Sequence, residues 1–278
     1  VIRIKEIAAM RKYYVVAIYI IFLIFSGCSD DDGNSSSSEQ SSLELATDIP
    51  ALYSTVSQIN VNVFYEPDAE PYEGKTLNGL SYWSILEANI AALFESRSLI
   101  PDIYVPRTVR EMTEIPDQDK SSWTAQDVYN LADSLITGYL SAPKACFYVF
   151  FLNGYLSEDG QNQNSVIGAS ITGTPVIVVF KDVVRSTGAS PTLVKYVEQT
   201  TLVHEFGHAM GLVNNGVTLS SRHQDTSHGH HCSNNDCVMY WLNEGLSDLM
   251  AFVQKYMATN NPVIFGQECL NDAMNYNP

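Results

Sequence analysis

The sequence predicts an α+β domain built on a mixed sheet, and two observations carry that expectation. Strand-like and helix-like segments alternate from residue 59 to residue 211, and the nearly continuous apolar run 146–152 has no polar face, as a strand covered on both sides requires. In order, 59–65 alternates as a half-buried strand, and 81–96 sets Trp83, Leu86, Ile90, Leu93 and Phe94 at helical spacing. Residues 104–110 read as a second strand. Residues 123–140 read as a helix capped by Thr124 or Ser122, with Val128, Leu131, Leu135, Ile136 and Leu140 facing inward. After the apolar strand, 166–171 and 175–180 read as two more. A long helix opens with Ser190 as N-cap and Pro191 at its first position, carries Val194, Val197, Thr201, His204 and His208 along one stripe, and stops at Gly211. A last helix buries Leu246, Leu249, Met250, Val253 and Met257. The roughly 230 residues from Leu43 onward suffice for one core, and no internal repeat divides them.

The N-terminal residues read differently. Arg11 and Lys12 precede an apolar run, 13–25, too short to span a bilayer comfortably and flanked as a signal segment is. The run ends in Phe25-Ser26-Gly27-Cys28, which resembles a bacterial lipobox and implies a lipidated Cys28 at the mature N-terminus, with 1–27 removed. Met10 is a candidate start. Residues 28–46, opening with Asp30-Asp31-Asp32 and continuing rich in serine, cannot bury a core and are expected to be a flexible tether. That acidic run resembles the export signal of Bacteroidetes surface lipoproteins, so the expected location is the outer membrane, facing periplasm or medium. Without residues 1–27, eleven Lys+Arg stand against thirty Asp+Glu, a surface that should repel nucleic acid and anionic lipid.

The chemistry-bearing motif is His204-Glu205-Phe206-Gly207-His208, followed by Gly211. On a helix, residues four apart share a face, so the two imidazoles can bind one metal ion with Glu205 beside the water it would deprotonate. Catalytic zinc needs a third protein ligand, and His223, His228, His230 and His231 lie just downstream, with Asp225 among them.

His231 precedes Met239-Tyr240 by eight residues, a spacing that resembles the metzincins, zinc peptidases in which a third histidine follows the glycine and a methionine turn lies under the metal. The resemblance implies a zincin-like fold: a twisted mixed sheet and active-site helix in an upper subdomain of 47–278, to about 211, and a smaller helical or irregular lower one, 212–278. It also implies Zn2+ on His204, His208 and His231, Glu205 as general base, Met239 as structural floor, and extracellular proteins or peptides as substrates, cut internally by a monomer. An edge strand near Gly168-Ala169-Ser170 would line the cleft. The usual third histidine position is Asn214 here, and the nineteen residues 212–230 intervene as a loop, as leishmanolysin-like members of the clan tolerate. His228 is the substitute third ligand.

Two other readings stay open. Asn243-Glu244-Gly245-Leu246-Ser247-Asp248 resembles the NExxSD helix of gluzincins, in which Glu244 would be the third ligand and Asp248 would orient a zinc histidine. The other is a surface lipoprotein that uses a zincin fold for binding without catalysis. His223-x-Asp225-x-x-His228 is expected to be a solvated loop, the alternative being a structural metal. With Cys28 assigned to lipid, Cys232–Cys237 is the expected disulfide, leaving Cys146 and Cys269, and Cys237–Cys269 is the alternative. His-Cys followed by Cys-x-Met also resembles archaemetzincins, but their later CxxC pair has no counterpart, which argues against a second zinc on these cysteines.

Overall fold

The chain organises around a strand that can be buried on both faces. In the computed structural model, which describes residues 45–136, 143–188, 190–244, 246–259 and 261–278, that strand is β5 (Lys144–Leu152). It is flanked in parallel by β1 (Gln58–Tyr65) and β9 (Val176–Phe180). β2 (Asp102–Tyr104) and β3 (Thr113–Glu114) pair in parallel along the outer edge of β1, and β8 (Gly168–Ser170) closes the other edge antiparallel to β9. Alternation on β5 sends Phe147 to Phe206 and Phe151 to Trp83, while Phe150 stacks on Phe64 across the opposite face. The signal segment, Cys28 and the tether up to residue 44 lie outside the described residues, as does the predicted helix beyond residue 136.

The helices are α1 (Ile49–Ser54), α2 (Trp83–Ala92), α3 (Ala125–Leu135), α4 (Lys181–Ser186), α5 (Pro191–Ala209), α6 (Leu246–Met257) and α7 (Gln267–Asn275). α5 starts as the sequence predicts, with Ser190 Oγ accepting from Leu193 N. It packs against β8, β9, α2 and α6. Thr124, not Ser122, caps α3: its hydroxyl accepts from Asp127 N while the Asp127 carboxylate accepts from Thr124 N. On α6, Leu249 and Val253 are buried as expected and Phe252 joins them, whereas Met250 and Met257 are half-buried.

Two local expectations are corrected, and one hairpin was not foreseen. The strand predicted at 104–110 ends at Tyr104: Pro106 cannot donate to a ladder, and the Glu111 carboxylate then gathers the N–H groups of Arg107 and Thr108 into a 3-10 turn, Val109–Glu111. The helix predicted at 123–140 stops at Leu135. β6 (Tyr155–Glu158) and β7 (Gln161–Gln163) form a hairpin through Asp159-Gly160, both at positive φ, a turn signal the apolar pattern did not reveal. β4 (Ser122–Trp123) joins β6 to complete a small second sheet.

A buried ion pair aligns α5. Lys181 Nζ meets Glu198 Oε2 at 2.5 Å with both side chains essentially inaccessible, Tyr72 N donates to Glu198 Oε1, and the ammonium lies 3.6 Å from the Tyr72 ring centre. Removing one partner strands the other charge in the core. Glu198→Ala is expected to cost about 3–5 kcal/mol in denaturant unfolding; a loss below about 1 kcal/mol would show that the pair does not hold α5 in place.

Candidate metal centre

One turn of α5 separates His204 from His208, and their Nε2 atoms stand 3.2 Å apart. Tetrahedral zinc at about 2.0–2.1 Å from each nitrogen requires a separation of about 3.3 Å. His231 enters from the far end of the inserted loop, its ring centroid 5.3 Å from that of His204 and 4.9 Å from that of His208. The ligand atoms of His204, His208, His231 and Glu244 all lie within 4.8 Å of one another. The three histidines foreseen from sequence are thus brought together, and Glu244, foreseen as an alternative to His231, joins them.

Backbone carbonyls set the rings. His204 Nδ1 donates to Val238 O at 2.7 Å, and His231 Nδ1 to His228 O at 2.5 Å. A carbonyl can only accept, so each proton sits on Nδ1 and the Nε2 lone pair faces the cluster. His231 Nε2 comes within 2.9 Å of Glu244 Oε1 without the alignment of a hydrogen bond, which leaves a buried nitrogen unpaired. An unpaired buried lone pair beside a carboxylate suits a cation between them, so the residues fit a metal ion.

Met239 lies directly beneath the helix. A Cβ on Gly207 would come within 2.2 Å of Met239 Sδ, so the glycine inside the motif is what lets the methionine approach. Glu205 lies against β8, where the backbone N–H of Ser170 faces its carboxylate and favours the ionised form. There Gly168 permits a tight crossing: a Cβ would meet Thr201 Cγ2 at 2.7 Å and Glu205 Cγ at 3.3 Å. Burial, helped by the charge of Glu244, pushes the Glu205 carboxyl up to about 8, while burial pushes His204 down to about 4 and His208 well below its ordinary value. Burial opposes a charge on His231 too, but the Glu244 carboxylate outweighs it and raises the imidazole.

The inserted loop arranges its polar residues unlike either sequence expectation. His228 is not in the cluster: its ring pairs with Asp225 at 2.7 Å and stacks on Trp241 at 3.8 Å, so it serves His231 through its carbonyl. His223 turns away from both, to Asp272 and Cys232, so no His223-Asp225-His228 group forms. Asn214 is exposed and bonds Gln224. Cys146, Cys232, Cys237 and Cys269 are all free, so the expected Cys232–Cys237 disulfide is not formed; Cys237 and Cys269 have sulfurs 3.6 Å apart. Sequence reasoning missed the carbonyls of Val238 and His228 and the N–H of Ser170, because backbone groups leave no mark in residue type.

No family model and no curated protein matches this chain. Among solved structures, a zinc-dependent peptidase from Methanocorpusculum labreanum is similar, at 14% identity over 77% of this chain and 99% of that one, with a TM-score of 0.43. Identity and TM-score both fall below the level at which likeness establishes a shared activity, so function has to be argued from the side chains themselves.

At pH 7 the metal-free site holds a protonated Glu205, and a cation beside it would lower that pKa and expel the proton. Zinc uptake at pH 7 is therefore expected to release protons, from Glu205 and from any protonated His231. Calorimetric titration in buffers of different ionisation enthalpy reads the number, and uptake without release would contradict the buried, neutral carboxyl.

Proposed function

We propose that this chain is a zinc-dependent peptidase of metzincin type. The observation that carries the reading is the convergence of three carbonyl-fixed or helix-borne imidazoles on one point beside a buried carboxyl. His204, His208 and His231 would hold the ion, which when bound supplies a Lewis acid for the scissile carbonyl and acidifies a water molecule. Glu205 takes the proton from that water and returns it to the leaving amine, as general base and then general acid. Met239 supports the helix turn that carries both histidines.

β8 supports a substrate in extended form. Among the described residues it ends the sheet order, and Ser170 and Gly168 touch Glu205, so a strand added along that edge would bring a peptide bond beside the carboxyl. An open edge admits chain on both sides of the cut, which favours internal cleavage. A module used only for binding would have no need of a buried general base, which weighs against the non-catalytic reading. Lipidation at Cys28 and exposure at a bacterial outer membrane are part of the proposal, resting on the lipobox-like 25–28 and the acidic run after it.

His231 is the better third ligand than Glu244. Its side chain is 10% exposed and fixed through Nδ1, whereas the Glu244 side chain is 50% exposed on the 3-10 turn Trp241–Glu244. In the gluzincin reading Asp248 would orient a histidine, but backbone carbonyls already take Nδ1 of His204 and His231.

Cleavage of an unfolded protein mixture by the zinc-loaded chain tests the activity. Glu205→Gln is expected to keep its metal and lose ~10²-fold or more in turnover; equal activity in both would refute the assignment of the base. His231→Ala is expected to lose bound zinc while Glu244→Ala retains it, and the reverse would move the third ligand to Glu244.

A further inference from the structure

Catalytic zinc centres keep three protein ligands and leave the fourth position to water, whereas a fourth ligand from the chain closes the site. Glu244 supplies a fourth donor here. A carboxylate oxygen of Glu244 and the three imidazole nitrogens all lie within 4.8 Å of one another, with Oε1 2.9 Å from His231 Nε2 and 4.0 Å from His204 Nε2. Nitrogen and oxygen donors on one tetrahedral zinc ion stand about 3.3–3.5 Å apart, a spacing that those two distances bracket. The buried His231 Nε2 has no hydrogen-bond partner, because its proton sits on Nδ1 and two lone pairs face each other. A cation between them satisfies both. We propose that Glu244 closes the metal centre at rest as a fourth protein ligand, and that substrate displaces it to open the position for water and the scissile carbonyl. This regulation rests on the zinc-peptidase reading.

The main chain at Glu244 is fixed while its side chain is free to leave. Asn243 Nδ2 donates to Cys237 O at 3.1 Å and to Val238 O at 3.0 Å, and Asn243 N donates to Tyr240 O at 3.0 Å. The turn that carries Glu244 therefore hangs from the same carbonyl that orients His204. Half of the Glu244 side chain faces solvent, so rotation about its own bonds can carry the carboxylate outward without moving the turn. His204 and His231 are buried and held through Nδ1, and they cannot follow it. Glu244 is thus the donor built to exchange. A site open for only part of the time binds its substrate more weakly in proportion to the open fraction, so the carboxylate acts as a competitor carried by the chain itself. The sequence presented Glu244 as a replacement for His231, and the fold brings both to the same point.

Binding of neutral imidazole to the cobalt-loaded full chain, above the pKa of imidazole, tests the proposal without any cleavage. Imidazole needs the fourth position, and being uncharged it does not respond to the charge of Glu244 as an anion would. The visible cobalt bands that His208→Ala abolishes report its binding. The wild-type chain is expected to require about tenfold more imidazole than Glu244→Gln, because the carboxylate has to be displaced first. Glu244→Ala should match Glu244→Gln, which keeps the test intact if one of the two fails to fold. In peptide cleavage both variants should show a KM lower by the same factor, with kcat little changed. Equal imidazole affinity in wild type and variants would overturn the proposal and leave Glu244 as a neighbouring charge only. Absence of His208-dependent cobalt bands would overturn it as well. A tenfold difference in imidazole affinity without cleavage by any of the chains would uphold the closure by Glu244 and count against the peptidase reading instead.

Discussion

The hydrogen bond from His204 Nδ1 to the Val238 carbonyl is the contact on which the rest of the site depends. It joins the long helix to the turn that carries Met239 and fixes the face that His204 presents. The same carbonyl accepts from Asn243 Nδ2 at 3.0 Å, and Val238 N donates to Ile264 O at 2.9 Å, so the backbone of one residue ties α5, the 3-10 turn bearing Glu244 and the segment before α7. Buried backbone groups must be paired, and here the pairing sets the imidazole. Met239 can lie under the helix because Gly207 leaves it room.

Charge is handled in opposite ways at the two ends of α5. Near its start, Glu198 carries its own counter-ion, Lys181, into the core. Near its end, His204, His208 and Glu205 are buried, and burial drives all three toward their neutral forms. Such a site is electrostatically incomplete in a way that a divalent ion completes, since the ion takes the imidazole lone pairs and favours an ionised Glu205. Glu244 at the rim adds negative charge that favours a cation and disfavours a second buried carboxylate.

Much of this was legible in the sequence. The capped start of α5, the central strand β5 and a strand at β8 followed from local rules of capping, apolar continuity and alternation, which tertiary packing did not need to override, while the edge position of β8 followed from the family resemblance. His231 was legible through its spacing to Met239. The strand predicted past Tyr104 failed because a proline and an acidic capping residue outweighed the apolar pattern, and the Asp159-Gly160 hairpin was missed for lack of apolar alternation around it. The cysteine pairing was misjudged for a different reason: short sequence separation favoured Cys232 with Cys237, while the fold brings Cys269 and His223 to the same point from distant segments. Such convergence depends on how the inserted loop returns, and residue spacing does not encode that.

A crystal structure of the zinc-loaded chain, with anomalous scattering measured at the zinc edge, tests the reading of the histidine cluster most directly. The predicted result is a peak bonded to Nε2 of His204, His208 and His231, with Glu205 beside it and Val238 O still holding His204. A peak bonded to Glu244 with His231 turned away, or no peak between the two α5 histidines, would contradict it.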